Sequence, residues 1–193
     1  MRSIVKRSIT ALCLLLTSPL ILMVRLARVF RSEKLFLTYG SFLSLIPGTV
    51  GSYIRVAYYL GTLSKMSPDV AIGFGSFFSR SNASVGDNVS IGAYCILGSV
   101  DIENNVLIAS RVSIPSGRHQ HGDFESQDRS GKNAFGQIRI GQNTWVGEAA
   151  VVLNTVGKNC IVASGAVVVK EMPDNVLVAG NPASVKKQMA ASG

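Results

Sequence analysis

The sequence predicts a mainly β protein in which residues from about Ile72 to Pro182 form a solenoid of six-residue turns, preceded by an apolar cationic segment. Aliphatic residues recur at every sixth position over most of that stretch, and a small residue, usually glycine, follows most of them. The excess positive charge lies wholly within the first 65 residues. The first two observations predict the solenoid and the third sets the segment apart.

With 47% hydrophobic and 16% charged residues, the chain has the composition of a folded protein, long enough for one well-buried domain and an appendage. Its formal charge of +8 is unevenly placed. Residues 1–65 carry nine basic side chains (Arg2, Lys6, Arg7, Arg25, Arg28, Arg31, Lys34, Arg55, Lys65) against Glu33, whereas the remainder holds ten of each sign. A nucleic-acid binder spreads cationic charge over its folded recognition surface; a basic, apolar terminal segment fits an anionic membrane surface instead, so no nucleic acid is expected as a partner. Cys13, Cys95 and Cys160 are too few and too scattered for a disulfide framework and form no metal-ligand spacing, so no metal is expected. Cys95 and Cys160 share one position of the repeat, which makes them small core fillers rather than reactive thiols.

The first segment, residues 1–66, contains seventeen consecutive uncharged residues, Ser8 to Val24, at the lower limit for a bilayer-spanning helix. Pro19 is expected to interrupt it. No small-x-small cleavage pattern follows, which argues against a secretory signal. The chain continues through Arg25, Arg28 and Arg31 into LFLTYGSFLSLIPG and then YIRVAYYL. Positive charge on both flanks favours a helix or helical hairpin that dips into the membrane and returns to the same face, a monotopic anchor through residues 1–65. A true span and a soluble helix pair packed on the main domain are the alternatives.

Internal repetition dictates architecture. Val85, Ile91 and Leu97 lie six apart, followed after a one-residue slip by Ile102, Ile108 and Ile114. An insertion, residues 115–137, precedes Ile140, Val146 and Val152, and a two-residue contraction leads to Val156, Val162 and Val168. Of the twelve residues just after these aliphatics, six are Gly (86, 92, 98, 141, 147, 157), as expected where a backbone turns sharply or takes positive φ. A strand alternates with period two and a helix with 3.6, and neither places glycine after every sixth aliphatic. Three hexads then close a triangular coil of about eighteen residues whose aliphatics point inward and stack on the neighbouring coils. Residues around Ile72, in VAIGFGSFFSRSNAS, read as a less regular first coil that caps the stack.

With IGAYCILG, WVGEAAVV, IVASGAVVV and AGNPA in view, the chain resembles the hexapeptide-repeat acyltransferases over about residues 70 to 187, with repeat, insertion and terminal AGNPA in family order. The resemblance implies a left-handed parallel β-helix over residues 67–182 followed by a short C-terminal tail, 183–193, and is strongest to small O-acetyltransferases acting on sugars. It also implies acetyl-CoA as co-substrate and a homotrimer with active sites between adjacent subunits. Because CoA is cytoplasmic in bacteria, the expected place is the cytoplasmic face of the inner membrane, with a sugar-containing acceptor such as a lipid-linked glycan. Two departures stand out. The corner VVLNTVGKN is about two residues shorter than the usual family version, and the hydrophobic first 65 residues have no counterpart in the soluble sugar and antibiotic acetyltransferases.

Acyl transfer from a thioester to a hydroxyl needs a base for the hydroxyl proton, a cradle for the developing oxyanion and a site for the CoA arm. The only two histidines, His119 and His121, both lie in the insertion, in SIPSGRHQHGDFESQDR. An insertion from a solenoid forms a loop on one face, where binding function commonly lives. The resemblance aligns His119 best with the catalytic base, His121 competing, and an imidazole of ordinary pKa suits the task at neutral pH. Glu148 is the candidate to orient that base, with Asp123 and Glu125 as alternatives. For CoA, the resemblance places the pantetheine along the backbone of Ser164, Gly165 and Ala166, the phosphates near Lys170, Lys186 and Lys187, and Asn181 and Pro182 beside the same groove. Trp145 either walls the acceptor or acyl pocket or packs at a corner. Two histidines fall short of the three required by zinc enzymes built on this repeat. A non-catalytic membrane-tethered scaffold and a serine- or antibiotic-type acetyltransferase remain as competing readings.

Overall fold

The computed structural model describes residues 2–115 and 136–190 of the 193-residue chain. Three helices come first: α1 (Arg2–Val29), α2 (Lys34–Ser44) and α3 (Gly48–Thr62). Short strands follow in coils. The first coil is β1 (Lys65–Met66), β2 (Val70–Ile72) and β3 (Phe77–Phe78); the second is β4 (Ser84–Val85), β5 (Val89–Ile91) and β6 (Ile96–Leu97). The third is β7 (Val100–Ile102), β8 (Leu107–Ile108) and β9 (Ser113–Ile114), and the fourth β10 (Ile138–Ile140), β11 (Trp145–Val146) and β12 (Val151–Val152). The fifth has β13 (Ile161–Val162) and β14 (Val167–Val168), and β15 (Val176–Gly180) opens a last partial coil. Residues 183–188, within the segment read as a tail, form β16 (Ala183–Gln188), which turns back antiparallel on β15.

The coils stack into three sheets: β1-β4-β7-β10, then β16-β15-β13-β11-β8-β5-β2, then β14-β12-β9-β6-β3, all pairs parallel except the last hairpin. The inward aliphatics form continuous columns. Ile72, Ile91, Ile108, Val146, Val162 and Val178 are register partners in the second sheet, and each is at most 2% exposed. The coils are not of uniform length. Ile91 pairs with Ile108, seventeen residues on, and Val146 with Val162, sixteen on. The spacing of six holds from the first sheet to the second and from the second to the third in every coil, so every slip, and the insertion, falls at the corner from third sheet to first. One corner absorbs all irregularity, and the other two stay in register.

The glycines after the aliphatics serve a purpose other than the expected positive φ. A Cβ on Gly92 would lie 2.5 Å from the Ser110 nitrogen, and one on Gly147 would lie 2.6 Å from that of Ser164. These glycines let one coil approach the next. Positive φ falls elsewhere at the corner from first to second sheet, on Asn88, Asn105, Asn143, Asn159 and Asn175, at 52–59° and 60°. Asparagine tolerates that region better than other residues with a Cβ. These five also form a rail, each amide donating to the next at 2.9–3.0 Å.

The helices and solenoid share one hydrophobic core. α3 lies on the first coil: Tyr59 Oη accepts from the Phe78 nitrogen at 3.0 Å and Ser52 Oγ from the Ile72 nitrogen at 3.1 Å. The fully buried Arg55 donates to the Ile72 carbonyl and to those of Leu43, Ser44 and Ile46 at the end of α2. α2 is pinned at its start by Glu33, which accepts from the backbone and hydroxyl of Ser81. Pro19 does not interrupt α1, contrary to expectation. A proline removes the N–H that would bond the carbonyl four residues back, and the Ser18 hydroxyl donates to that carbonyl, of Leu15, at 2.7 Å.

Candidate functional site

The corner from second to third sheet carries most of the expected site. Its successive coils place Phe74, Ala93, Ser110, Glu148 and Ser164 in one line and Gly75, Tyr94, Arg111, Ala149 and Gly165 in the next, the latter all at positive φ. Backbone bonds tie the line together: Tyr94 N–H donates to Phe74, Arg111 to Ala93, Ala149 to Ser110 and Gly165 to Glu148, at 2.7–3.0 Å. The line ends at Gly165: beyond the register of Val162 with Val178 the chain turns at Gly180, which pairs with Ala183 in the β15–β16 hairpin and brings Asn181 and Pro182 into its turn. Glu148, Ser164 and Gly165 therefore lie along one edge, and Asn181 and Pro182 form the turn of the terminal hairpin.

Gly165 has a φ of +69° and open space where a side chain would be. A glycine there lets a ligand lie directly on backbone. Ser164 and Gly165 are exposed, whereas Ala166 is buried with 1% of its surface exposed. Trp145 lies on the outward face of the second sheet, 48% exposed, in a column with Leu107, Ile161 and Leu177. Lys187 pairs with Leu177 and continues that column at the end of the stack. Lys186 sits at the irregularity of the same hairpin. Lys170 is apart from these, at the corner from third sheet to first.

Glu148 has a partner that the sequence reading missed. Its Oε1 accepts from Arg111 Nη2 at 2.8 Å, with both side chains more than half exposed. The signal was present: with the insertion excised, Arg111 falls one coil below Ala149. His119, His121, Asp123 and Glu125 lie outside the described residues. The insertion leaves from the corner after β9, so the third sheet separates its root from the Glu148 edge.

An open cleft of about 340 Å³ lies elsewhere, against the first sheet, between Lys65, Ser84, Asp101, Glu103, Gln142 and Lys158. Its carboxylates are already engaged, Asp101 by the Ser84 hydroxyl and Glu103 by the Gln142 N–H and Arg139. It shares none of the residues of the Glu148 edge. Burial pushes the Cys95 and Cys160 thiols up from their ordinary value, as befits core fillers.

No family model matches the chain, and no curated protein matches it. Its structure is similar to that of a maltose O-acetyltransferase from Clostridium difficile 630, 22% identical over 82% of this chain and 87% of the other, with a TM-score of 0.64. It is also similar to a galactoside acetyltransferase in complex with coenzyme A, 22% identical over 80% of each chain, TM-score 0.67. A third similar structure is a hexapeptide-repeat-containing acetyltransferase from Vibrio cholerae O1 biovar eltor complexed with acetyl coenzyme A, 18% identical over 80% and 87%, TM-score 0.64. The chain thus has the left-handed parallel β-helix of the hexapeptide-repeat acetyltransferases. At this identity the likeness is one of fold.

Proposed function

We propose that the protein is a CoA-dependent acetyltransferase that O-acetylates a sugar-containing acceptor at a membrane. The observation that carries the reading is the edge where Glu148, Ser164 and Gly165 align beside the Trp145 column, on the fold of proteins solved with CoA and acetyl-CoA. The names of two similar structures, a maltose and a galactoside acetyltransferase, support a sugar hydroxyl as acceptor.

In this mechanism His119 or His121 removes the acceptor's hydroxyl proton as its oxygen attacks the acetyl thioester carbon. The C–O bond forms, the C–S bond breaks, and CoA leaves as the thiol after taking the proton back through the imidazole. The pantetheine lies on the exposed backbone at Gly165, and Lys187 and Lys186 meet the phosphates. Glu148, held by Arg111, positions the base through its second oxygen.

Apolar side chains flank this edge on both adjoining sheets: Leu107 and Trp145 on the second, Ile96 on the third, each 46–48% exposed. The first sheet presents Lys65, Asp101 and Arg139 instead. That contrast supports self-association through the Glu148 edge, as a homotrimer in which a neighbour's insertion completes each site. Membrane association at the cytoplasmic face of a bacterial inner membrane is supported by α1. Ser8–Val29 is long and apolar enough to cross a bilayer, yet within it only Thr10, Cys13, Thr17, Ile21 and Val24 are buried in the chain.

The test is acetyl-CoA turnover with maltose or a lipid-linked oligosaccharide as acceptor. Wild type is expected to turn over, and His119→Ala or His121→Ala to lose at least a hundredfold. Full activity in both variants would sink the histidine mechanism. Absence of CoA binding to wild type, read from the fluorescence of Trp145, would favour a non-catalytic scaffold.

A further inference from the structure

We propose that α1 lies in the plane of an anionic lipid surface and that the three helices form a platform on which the β-helix stands upright, its coils parallel to the membrane. This deepens, and rests on, the membrane association proposed above; the structure now separates the in-plane arrangement from a span.

The first observation is a large apolar outward face on α1. α1 buries Thr10, Cys13, Thr17, Ile21 and Val24, one stripe at three- and four-residue spacing. On the opposite face Leu12, Leu15, Leu16, Leu22, Met23 and Leu26 are all exposed. The protein-facing stripe is small or polar at Thr10, Cys13 and Thr17 and aliphatic at Ile21 and Val24, whereas the six outward positions are large and apolar without exception, which suits a helix whose outer surroundings are lipid. Leu37, Phe42 and Leu45 of α2 and its following turn, and Val50 of α3, extend the apolar surface. Arg25, Arg31 and Lys34, all exposed, lie at the α1–α2 end, where they match anionic headgroups.

The second observation is how α1 is held. α3 faces the first coil with Ser52, Arg55 and Tyr59. Helical spacing puts Ala57 and Gly61 on its opposite side, and Gly61 meets α1: a Cβ there would run into Ile21, and the Gly61 carbonyl accepts from Arg25. Arg28 likewise donates to the Thr62 carbonyl. α3 is thus sandwiched between α1 and the end of the solenoid. It contacts Ile72 and Phe78, which belong to different sheets of one coil, so α3 lies across the stack rather than along it. α1, packed along α3, does too.

This geometry is incompatible with a span. A bilayer core of about 30 Å aligned with α1 would engulf the first coil beside it, including the exposed Lys65 and Asp69. Lying flat, α1 immerses its aliphatic face and leaves those charges in water.

Trp145 is the chain's one tryptophan, so a Trp145→Phe background accepts a single reporter at Leu15→Trp or Leu26→Trp. The two sites share the outward face and lie about 16 Å apart along the helix. On vesicles of phosphatidylglycerol and phosphatidylethanolamine, quenching by lipids brominated at graded positions is expected to put both reporters at one shallow depth. Depths differing by about 16 Å would overturn the in-plane pose and leave membrane association standing. Failure of the full chain to bind these vesicles would overturn both. As a second measurement, Leu15→Glu with Leu26→Glu is expected to weaken vesicle binding at least tenfold while the β-helix keeps its thermal transition. Undiminished binding by that variant overturns the proposal.

Discussion

At the scale of single residues, two kinds of position hold the stack. Gly147 stands where a methyl would meet the backbone of Ser164. Gly147→Ala forces neighbouring coils apart in a core that has no slack, and is expected to destabilise by about 1–3 kcal/mol in urea denaturation. Asn143 both occupies positive φ and connects Asn105 to Asn159 in the rail. Asn143→Ala loses both amide bonds and strains the backbone, for a similar cost of about 1–3 kcal/mol. Cys95 and Cys160 are held as thiols by burial, above their ordinary value of 9.0. Their stabilising contribution is complete below about pH 9 and is lost as pH rises toward the folded-state value, because the unfolded chain then releases protons that the folded one keeps. Native protein is expected to leave both thiols unreactive to a disulfide reagent at pH 8, with reactivity appearing across the unfolding transition.

At the scale of elements, the junction between helices and solenoid turns on Arg55. Its guanidinium is surrounded by carbonyl oxygens, with burial lowering its pKa, and three of those oxygens come from the end of α2 or just beyond it. A cation there offsets the negative end of the α2 dipole while joining α2 to β2. Arg55→Met is expected to cost about 3 kcal/mol or more, since it leaves several buried carbonyls without donors. Arg55→Lys restores less than half, because an ammonium lacks the planar fork that reaches both Ile72 and the helix end. Limited proteolysis between α2 and α3 is the measurement. α1 shows the same economy at Pro19, where the Ser18 hydroxyl replaces the missing amide, and the helix runs on.

At the scale of the whole molecule, the helices are not a detachable leader. They share a core with the first coil, covering Phe78 and Ile72 completely. Deleting residues 1–63 is expected to yield aggregated protein rather than a free soluble β-helix; a monomeric or trimeric truncation with a cooperative transition would contradict the shared core. On the platform proposed above, Glu148, three coils beyond the first, would stand about 14 Å farther out at ordinary strand spacing, with the helical layers beneath adding on the order of 20 Å. A lipid-linked oligosaccharide of several units is therefore expected to be acetylated at least tenfold faster than a lipid-linked monosaccharide, whose sugar lies too near the bilayer. Leu107→Arg together with Ile96→Arg is expected to reduce the assembled mass by light scattering in detergent.

The six-residue period, the stacking of Ile91, Ile108, Val146 and Val162, and the uneven charge between an apolar first segment and a neutral remainder were legible in the linear sequence; the place of Val178 in that column was not. Periodicity and charge are local properties, carried by each residue irrespective of its neighbours in space. What the sequence could not assign was the reason for a residue's presence where that reason lies in another coil. The glycines make room for backbone seventeen or sixteen residues away, the asparagines answer one another across coils, and Arg111 meets Glu148 only once the insertion is looped out. The apolar run beginning at Ser8 reads alike as span, anchor or core helix. Only the packing of α3 between α1 and the first coil decided which face of that run is turned outward and that its axis crosses the stack, because orientation is a property of contacts and not of composition.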